Sequence, residues 1–188
     1  GVMSIIDERI RLLADRELRG SEFTLQLSDA TDQWLRGLFA SVAENRADLA
    51  LIAVGGYGRR DLSPLSDLDV LLLHNDARDI EEVAEALWYP IWDQGEKLGH
   101  SVRTLNETLT LASEDLDTAT ALLSSRLIAG SQSLANELSG NAADQWKSKA
   151  KFWLPKLAES VHSRHRAKGE VAFMLEPELK EGRGGLRD

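Results

Sequence analysis

Residues 49–54 and 68–73 form two short apolar runs. The polar stretch between them opens on Gly55-Gly56-Tyr57-Gly58-Arg59 and closes on Ser66-Asp67-Leu68-Asp69. Runs of this length, rich in Leu, Ile and Val, suit buried strands better than helices. Pro64 prevents a regular strand between them and leaves room for one helical turn. The chain is therefore predicted to leave one strand at a glycine pair and enter a second strand headed by Asp-x-Asp. Side chains two apart on a strand share a face, so Asp67 and Asp69 converge while Leu68 and Val70 enter the core.

Two converging carboxylates favour a hard divalent cation. Magnesium takes one or two carboxylates and completes its shell with water and phosphate oxygens. A pair of such ions stabilises both the attacking and the leaving oxygen of a phosphoryl transfer. Gly55 and Gly56 lack a Cβ, which lets backbone N–H groups approach a triphosphate closely. Arg59 and Ser66 offer further donors to phosphate oxygens. Other glycine-loop patterns fail here. Asp61 stands where a dinucleotide-binding motif needs its third glycine, and the Gly-Lys-Ser/Thr of a P-loop is absent. A second Asp-x-Asp, at Asp115 and Asp117, has no glycine pair upstream and leads into a helix-forming run. It reads as an N-cap followed by a first-turn acid.

Around this centre the pattern is mostly helical. A helix is predicted over 4–19, where Ser4 and Asp7 have capping-box spacing and Gly20 ends the run. A second follows over about 30–46, with Trp34, Leu35, Leu38, Phe39 and Val42 on one stripe. A third spans 79–94, kinked or restarted at Pro90. Residues 98–104 supply a third strand, and Asn106 suits the cap of the next helix. From 115 to about 165 the pattern is nearly all helical, with breaks near Gly130, Gly140 and Pro155. The expected fold class is α/β (α+β), a small mixed sheet between N-terminal helices and a C-terminal helical domain. The domain boundaries follow as N-terminal helices over 1–47, a core over 48–130 and a helical region over 131–188.

Acidic residues outnumber basic ones by 31 to 22 in this chain of 188, a net charge of −9 that disfavours a nucleic-acid partner. There is no cysteine and no apolar run of membrane-spanning length. A cytoplasmic protein without a membrane partner is the expectation, and the charged, glycine-rich end at 176–188 suggests a piece of something longer.

The spacing of Gly-Gly, ten intervening residues and Asp-x-Asp resembles the DNA polymerase β nucleotidyltransferase superfamily. The wording GGYGRRDLSPLSDLDVLLL, with LGHSVRT downstream and EPELKEGRGGLRD at the end, is similar to the bacterial PII uridylyltransferases. That resemblance implies transfer of UMP or AMP from UTP or ATP to a tyrosine of the regulatory protein PII, with magnesium on Asp67 and Asp69 and release of pyrophosphate. It implies a triphosphate cradle of Gly55, Gly56, Arg59 and Ser66. It also raises Lys180 and Arg187, with Arg183 between them, as nucleotide contacts. Family members continue into a metal-dependent His-Asp hydrolase domain and two ligand-sensing domains. No His-Asp pair occurs in this chain, so the removing activity is not expected within it.

The terminal Gly-Gly-Leu-Arg-Asp also resembles the glutamine synthetase adenylyltransferases. A transferase of that kind, or one acting on a small molecule, is the first alternative; a nucleotide-binding regulatory module without catalysis is the second. The last draws on one departure from the superfamily. No third carboxylate lies within 98–104, where Ser101 or His100 takes the corresponding place and Glu96 and Glu107 flank it.

Overall fold

The computed structural model describes residues 21–62, 67–95 and 97–171. The helix expected over 4–19, together with Ser66, Glu96, Lys180, Arg183 and Arg187, lies outside the described residues. The chain divides into two units, residues 1–145 and 146–188.

In the first unit, helix α1 (Ser21–Ala43) leads into strand β1 (Leu49–Ala53), the short helix α2 (Gly55–Gly58) and strand β2 (Leu68–His74). Helix α3 (Ile80–Asp93) connects β2 to strand β3 (Leu98–Thr104). Helices α4 (Leu105–Glu114) and α5 (Leu116–Leu123) then precede strand β4 (Arg126–Gly130). Helix α6 (Gln132–Val171) closes the described chain. The sheet is mixed, as expected. Its order is β3-β2-β1-β4, with β1 antiparallel to β2 and β4, and β2 parallel to β3.

Strand alternation divides the sheet into two faces. Leu49, Leu51 and Ala53 of β1 and Leu68, Val70 and Leu72 of β2 are buried in one core with Leu35 and Phe39 of α1 and Leu87, Trp88 and Ile91 of α3. The other face carries Ala50, Ile52, Leu71 and Leu73, all buried, and also Asp69. β1 is buried at all five positions, which explains why its sequence reads as a continuous apolar run. At the turn into β1, Arg46 donates to both oxygens of Asp48 and both oxygens of Asp79, at 2.8–2.9 Å, tying α1 to the start of α3. These hydrogen bonds hold both carboxyls below the usual range.

Several local expectations are corrected. α1 begins at Ser21, nine residues before the predicted start, because the apolar stripe extends back to Leu27, which is fully buried. Thr104, rather than Asn106, caps α4. Its side chain accepts from the Glu107 N–H while the Glu107 carboxylate accepts from the Thr104 N–H, a capping box that satisfies two helix-end donors. Residues 126–130 form an edge strand rather than helix, with a bulge against β1 between Leu51 and Ile52. α6 runs unbroken through Gly140 and Pro155. Its portion in the first unit buries Leu134, Ala135, Leu138 and Ala142. In the second unit, the Lys156 ammonium lies 4.1 Å from the centre of the Phe152 ring.

Candidate active site

Asp69 is the second residue of β2 and points from the sheet face opposite the main core. Its main chain is fixed by the Val54 N–H, which donates to the Asp69 carbonyl at 3.0 Å. Gly99 makes room for its carboxylate, while Gly55 stands at ordinary van der Waals distance from it. A Cβ on Gly55 would lie 3.5 Å from Asp69 Oδ2, and a Cβ on Gly99, its β3 partner in register, would overlap Oδ1. Gly55 also takes a left-handed conformation with φ of +59°, which glycine adopts without strain. Gly99 was not singled out in the sequence, although it falls within the strand predicted over 98–104. Its position inside a strand, where glycine marks close approach, was the available signal.

Asp67 is exposed and immediately precedes β2. The Asp69 carboxyl is pushed up to about 6, first by desolvation and then by the Asp67 charge, with Arg59 acting in the opposite direction. Both aspartates therefore stand near one another, and the arrangement disfavours a second negative charge in the absence of a cation. Among the described residues, no group of three or more His, Cys, Asp or Glu side chains converges to hold a metal. Two carboxylates supplemented by phosphate oxygens nevertheless fit magnesium's ligand preference.

The glycine turn follows directly from β1. Gly58 N–H donates to Val54 O at 3.1 Å and Arg59 N–H to Gly55 O at 3.0 Å, so the amides of Gly55, Gly56 and Tyr57 come before the first bond within the turn. Gly56 lies beside the Arg59 guanidinium, where a Cβ would come within 3.7 Å of it. Arg59 is exposed and pairs with Asp61 at 3.2 Å. A Cβ on Gly58 would overlap the Ser124 carbonyl oxygen, so the turn packs against the end of α5 without a side chain between them.

Gly55 and Asp69 border a cleft of about 400 Å³ whose walls include Gly99, Ser101 and Arg103 of β3, Thr108 of α4, and Asp117, Thr118 and Leu122 of α5. The register pairs Ser101 with Leu71, two residues beyond Asp69, so Ser101 shares its face. His100 points to the other face and packs against Trp88 and Trp92 of α3, with ring centres 5.4 and 5.3 Å apart. It packs against these rings while staying exposed, and it also lines the cleft. Glu107 is occupied by its capping box. Asp115 is the expected N-cap of α5 and accepts from the Thr118 N–H at 3.2 Å, but Asp117 also borders the cleft.

The residues most clearly missed by sequence reasoning are Asp32 and Arg126. Tyr57 Oη donates to Asp32 Oδ1 at 2.6 Å, and Arg126 pairs with Asp32 Oδ2. Arg126 also donates to the carbonyls of Tyr57, at 3.0 Å, and Gly58, at 3.3 Å.

A mixed sheet with a glycine turn at the end of one strand and paired aspartates at the head of the next defines a nucleotidyltransferase domain, and residues 35–126 match that domain family. The chain belongs more particularly to the PII uridylyltransferases. Residues 151–188 match the family described as GlnD PII-uridylyltransferase. The chain is 43% identical over 182 residues to the bifunctional uridylyltransferase/uridylyl-removing enzyme of Streptomyces coelicolor, covering 96% of this chain and 22% of that protein. It is 48% identical over 141 residues to the enzyme of the same name from Mycobacterium tuberculosis, covering 74% of this chain and 18% of that one. The chain thus spans about a fifth of the length of the curated relatives it matches. A solved toxin–antitoxin structure with AMP-PNP aligns over 69% of this chain and 98% of its own, at 15% identity and a TM-score of 0.42. No helix among the described residues is long and apolar enough to cross a membrane.

Proposed function

We propose that this chain carries the transfer site of a PII uridylyltransferase, moving UMP from UTP to a tyrosine of PII and releasing pyrophosphate. The observation that carries the reading is the placement of Asp69 between Gly55 and Gly99 on the wall of the cleft, with its carboxyl pushed up to about 6 by burial and by Asp67. A carboxylate pair strained in this way is eased by a divalent cation. The names of the relatives support the uridylyl group.

In this reading Asp67 and Asp69 hold magnesium. Gly55, Gly56, Arg59 and Ser66 receive the triphosphate, and Lys180 and Arg187 add contacts to it. Bound magnesium would neutralise phosphate oxygens and favour the phenolate of the incoming tyrosine, whose ordinary pKa is near 10. The tyrosine oxygen attacks the α-phosphorus as its bond to the bridging oxygen breaks. Pyrophosphate leaves with that electron pair, and the phenol proton passes to solvent. The chain's contribution is to place the reactants in line. Residues 48–130 form the transfer core, preceded by helices over 1–47 and followed by a helical region over 131–188. A cytoplasmic setting goes with this chemistry.

The test incubates the full-length protein with purified PII, magnesium and either UTP or ATP, and reads the intact mass of PII. Gain of one UMP on a tyrosine is the expected result. Gain of AMP would move the assignment to an adenylyltransferase, and unchanged PII with both nucleotides would overturn the reading.

A further inference from the structure

We propose that Asp32, Tyr57 and Arg126 form a buried strut that fixes the Gly55–Gly58 turn for nucleotide, making one face of α1 a positioning element of the transfer site. This rests on the functional reading above and extends the site beyond it, since Asp32 precedes residues 35–126, the stretch matching the nucleotidyltransferase domain.

The strut joins three elements distant in sequence. Asp32 and Tyr57 are each 1% exposed, so a carboxylate and a phenol have been taken out of water at the back of the glycine turn. Such burial is costly unless every group is paired, and here each group has its partner. Tyr57 Oη donates to one Asp32 oxygen at 2.6 Å, and the Arg126 guanidinium pairs with the other. Arg36, four residues along α1, stands 3.9 Å from that second oxygen. Burial and the Asp32 charge both raise the Tyr57 pKa well above its usual value, so the phenol remains a donor.

Arg126 does more than neutralise Asp32. Two further donors go to the carbonyls of Tyr57 and Gly58, and its guanidinium carbon lies 5.3 Å from the centre of the Tyr57 ring. One planar side chain from β4 thus grips the main chain of the turn at two consecutive residues while anchored to α1. A point charge cannot reproduce that fork. Asp29, three residues before Asp32 and so on the same side of α1, adds a tie to Arg60 at 2.5 Å. Arg60 has a φ of +63°, a left-handed conformation that a non-glycine residue holds only when its surroundings demand it. Two acids of α1 therefore meet both ends of the segment that follows Gly56. A core salt bridge with no positioning role would have no reason to direct its donors to the turn's carbonyls.

The test uses Tyr57→Phe and Arg126→Lys in the full-length protein, with three readouts. These are steady-state kinetics with varied magnesium–UTP at saturating PII, thermal melting, and amide hydrogen exchange at residues 58–61. Arg126→Lys keeps a charge for Asp32 but loses the fork. It is expected to raise the KM for UTP by about tenfold, the scale of a hydrogen bond to a charged group, with kcat changed much less. Exchange at 58–61 should quicken in both variants, while that of β2 stays as in the wild type. Tyr57→Phe, which removes a single hydroxyl, should show the same pattern more weakly and guards against simple failure to fold. Lowered melting with wild-type KM and wild-type exchange at 58–61 would reduce the cluster to core packing and overturn the proposal. A wild-type protein that modifies no PII at all would instead overturn the functional reading on which it rests.

Discussion

Replacing Asp69 by Asn should make the cation-free protein more stable at neutral pH, although it removes a residue assigned to the site. The Asp69 carboxyl is raised from 3.8 to about 6 by desolvation, then by Asp67, against a smaller opposing effect of Arg59. In the unfolded chain it ionises near its ordinary value. Between these two points the folded state holds more protons, so stability falls as pH rises from about 4 to about 6 and remains at the lower level above that. The difference of about two pH units corresponds to ~3 kcal/mol at most, and partial exposure of the carboxylate to solvent reduces it. For a chain of 188 residues that upper bound is a melting shift of up to about 10 °C.

Thermal melts of wild type and Asp69→Asn from pH 4 to 8, in chelator and in millimolar magnesium, check this directly. In chelator the variant should melt above the wild type at pH 7.5, and the gap should close near pH 4, where both side chains are neutral. Magnesium should raise the wild-type curve above about pH 6 and leave the variant unmoved. A variant that melts at or below the wild type at pH 7.5 in chelator would refute the claim that Asp69 is an electrostatically strained ligand.

Gly99→Ala places a methyl on the Asp69 carboxylate. Transfer should fall by about 100-fold, from misplacement of a reacting group, with the fold retained by circular dichroism. Gly58→Ala meets the Ser124 main-chain carbonyl, which cannot swing aside as a side chain can. It should cost about 1–3 kcal/mol in denaturant unfolding. Lys180→Ala and Arg187→Ala in the full-length protein should raise the UTP KM with little change in melting; wild-type constants in both would leave that segment outside the site.

Strands β1 and β2 were legible as apolar runs, the first closed by a glycine pair, and the Asp-x-Asp offset of two fixes which residues share a face. β4 was not legible. It is five residues long, lies at the sheet edge and is bulged, and its Leu127 and Ile128 continue the apolar spacing of the helices on either side. The expected breaks in α6 failed for a related reason. Glycine and proline carry local costs of about 1 and 3 kcal/mol in a helix interior, which packing elsewhere along the helix can offset. The strut around Tyr57 was hidden from pattern reading altogether, since its partners are 25 residues before it and 69 after it in sequence. Only burial shows that the tyrosine of Gly-Gly-Tyr-Gly faces away from the cleft. The candidate ligand pair was legible, but the glycine that makes room for it from β3 was not, because parallel register is not written in either strand alone.

The proposed role of Asp67 and Asp69 is to carry nucleotidyl transfer together. It is tested most directly by measuring pyrophosphate release and uridylyl label on PII in one reaction, with full-length wild type, Asp67→Asn and Asp69→Asn at matched folded concentration and saturating magnesium–UTP. Equal amounts of pyrophosphate and label are expected from the wild type and neither product from the two variants, since each lacks one charged ligand for the ion. Near-wild-type amounts of both products from both variants would contradict it.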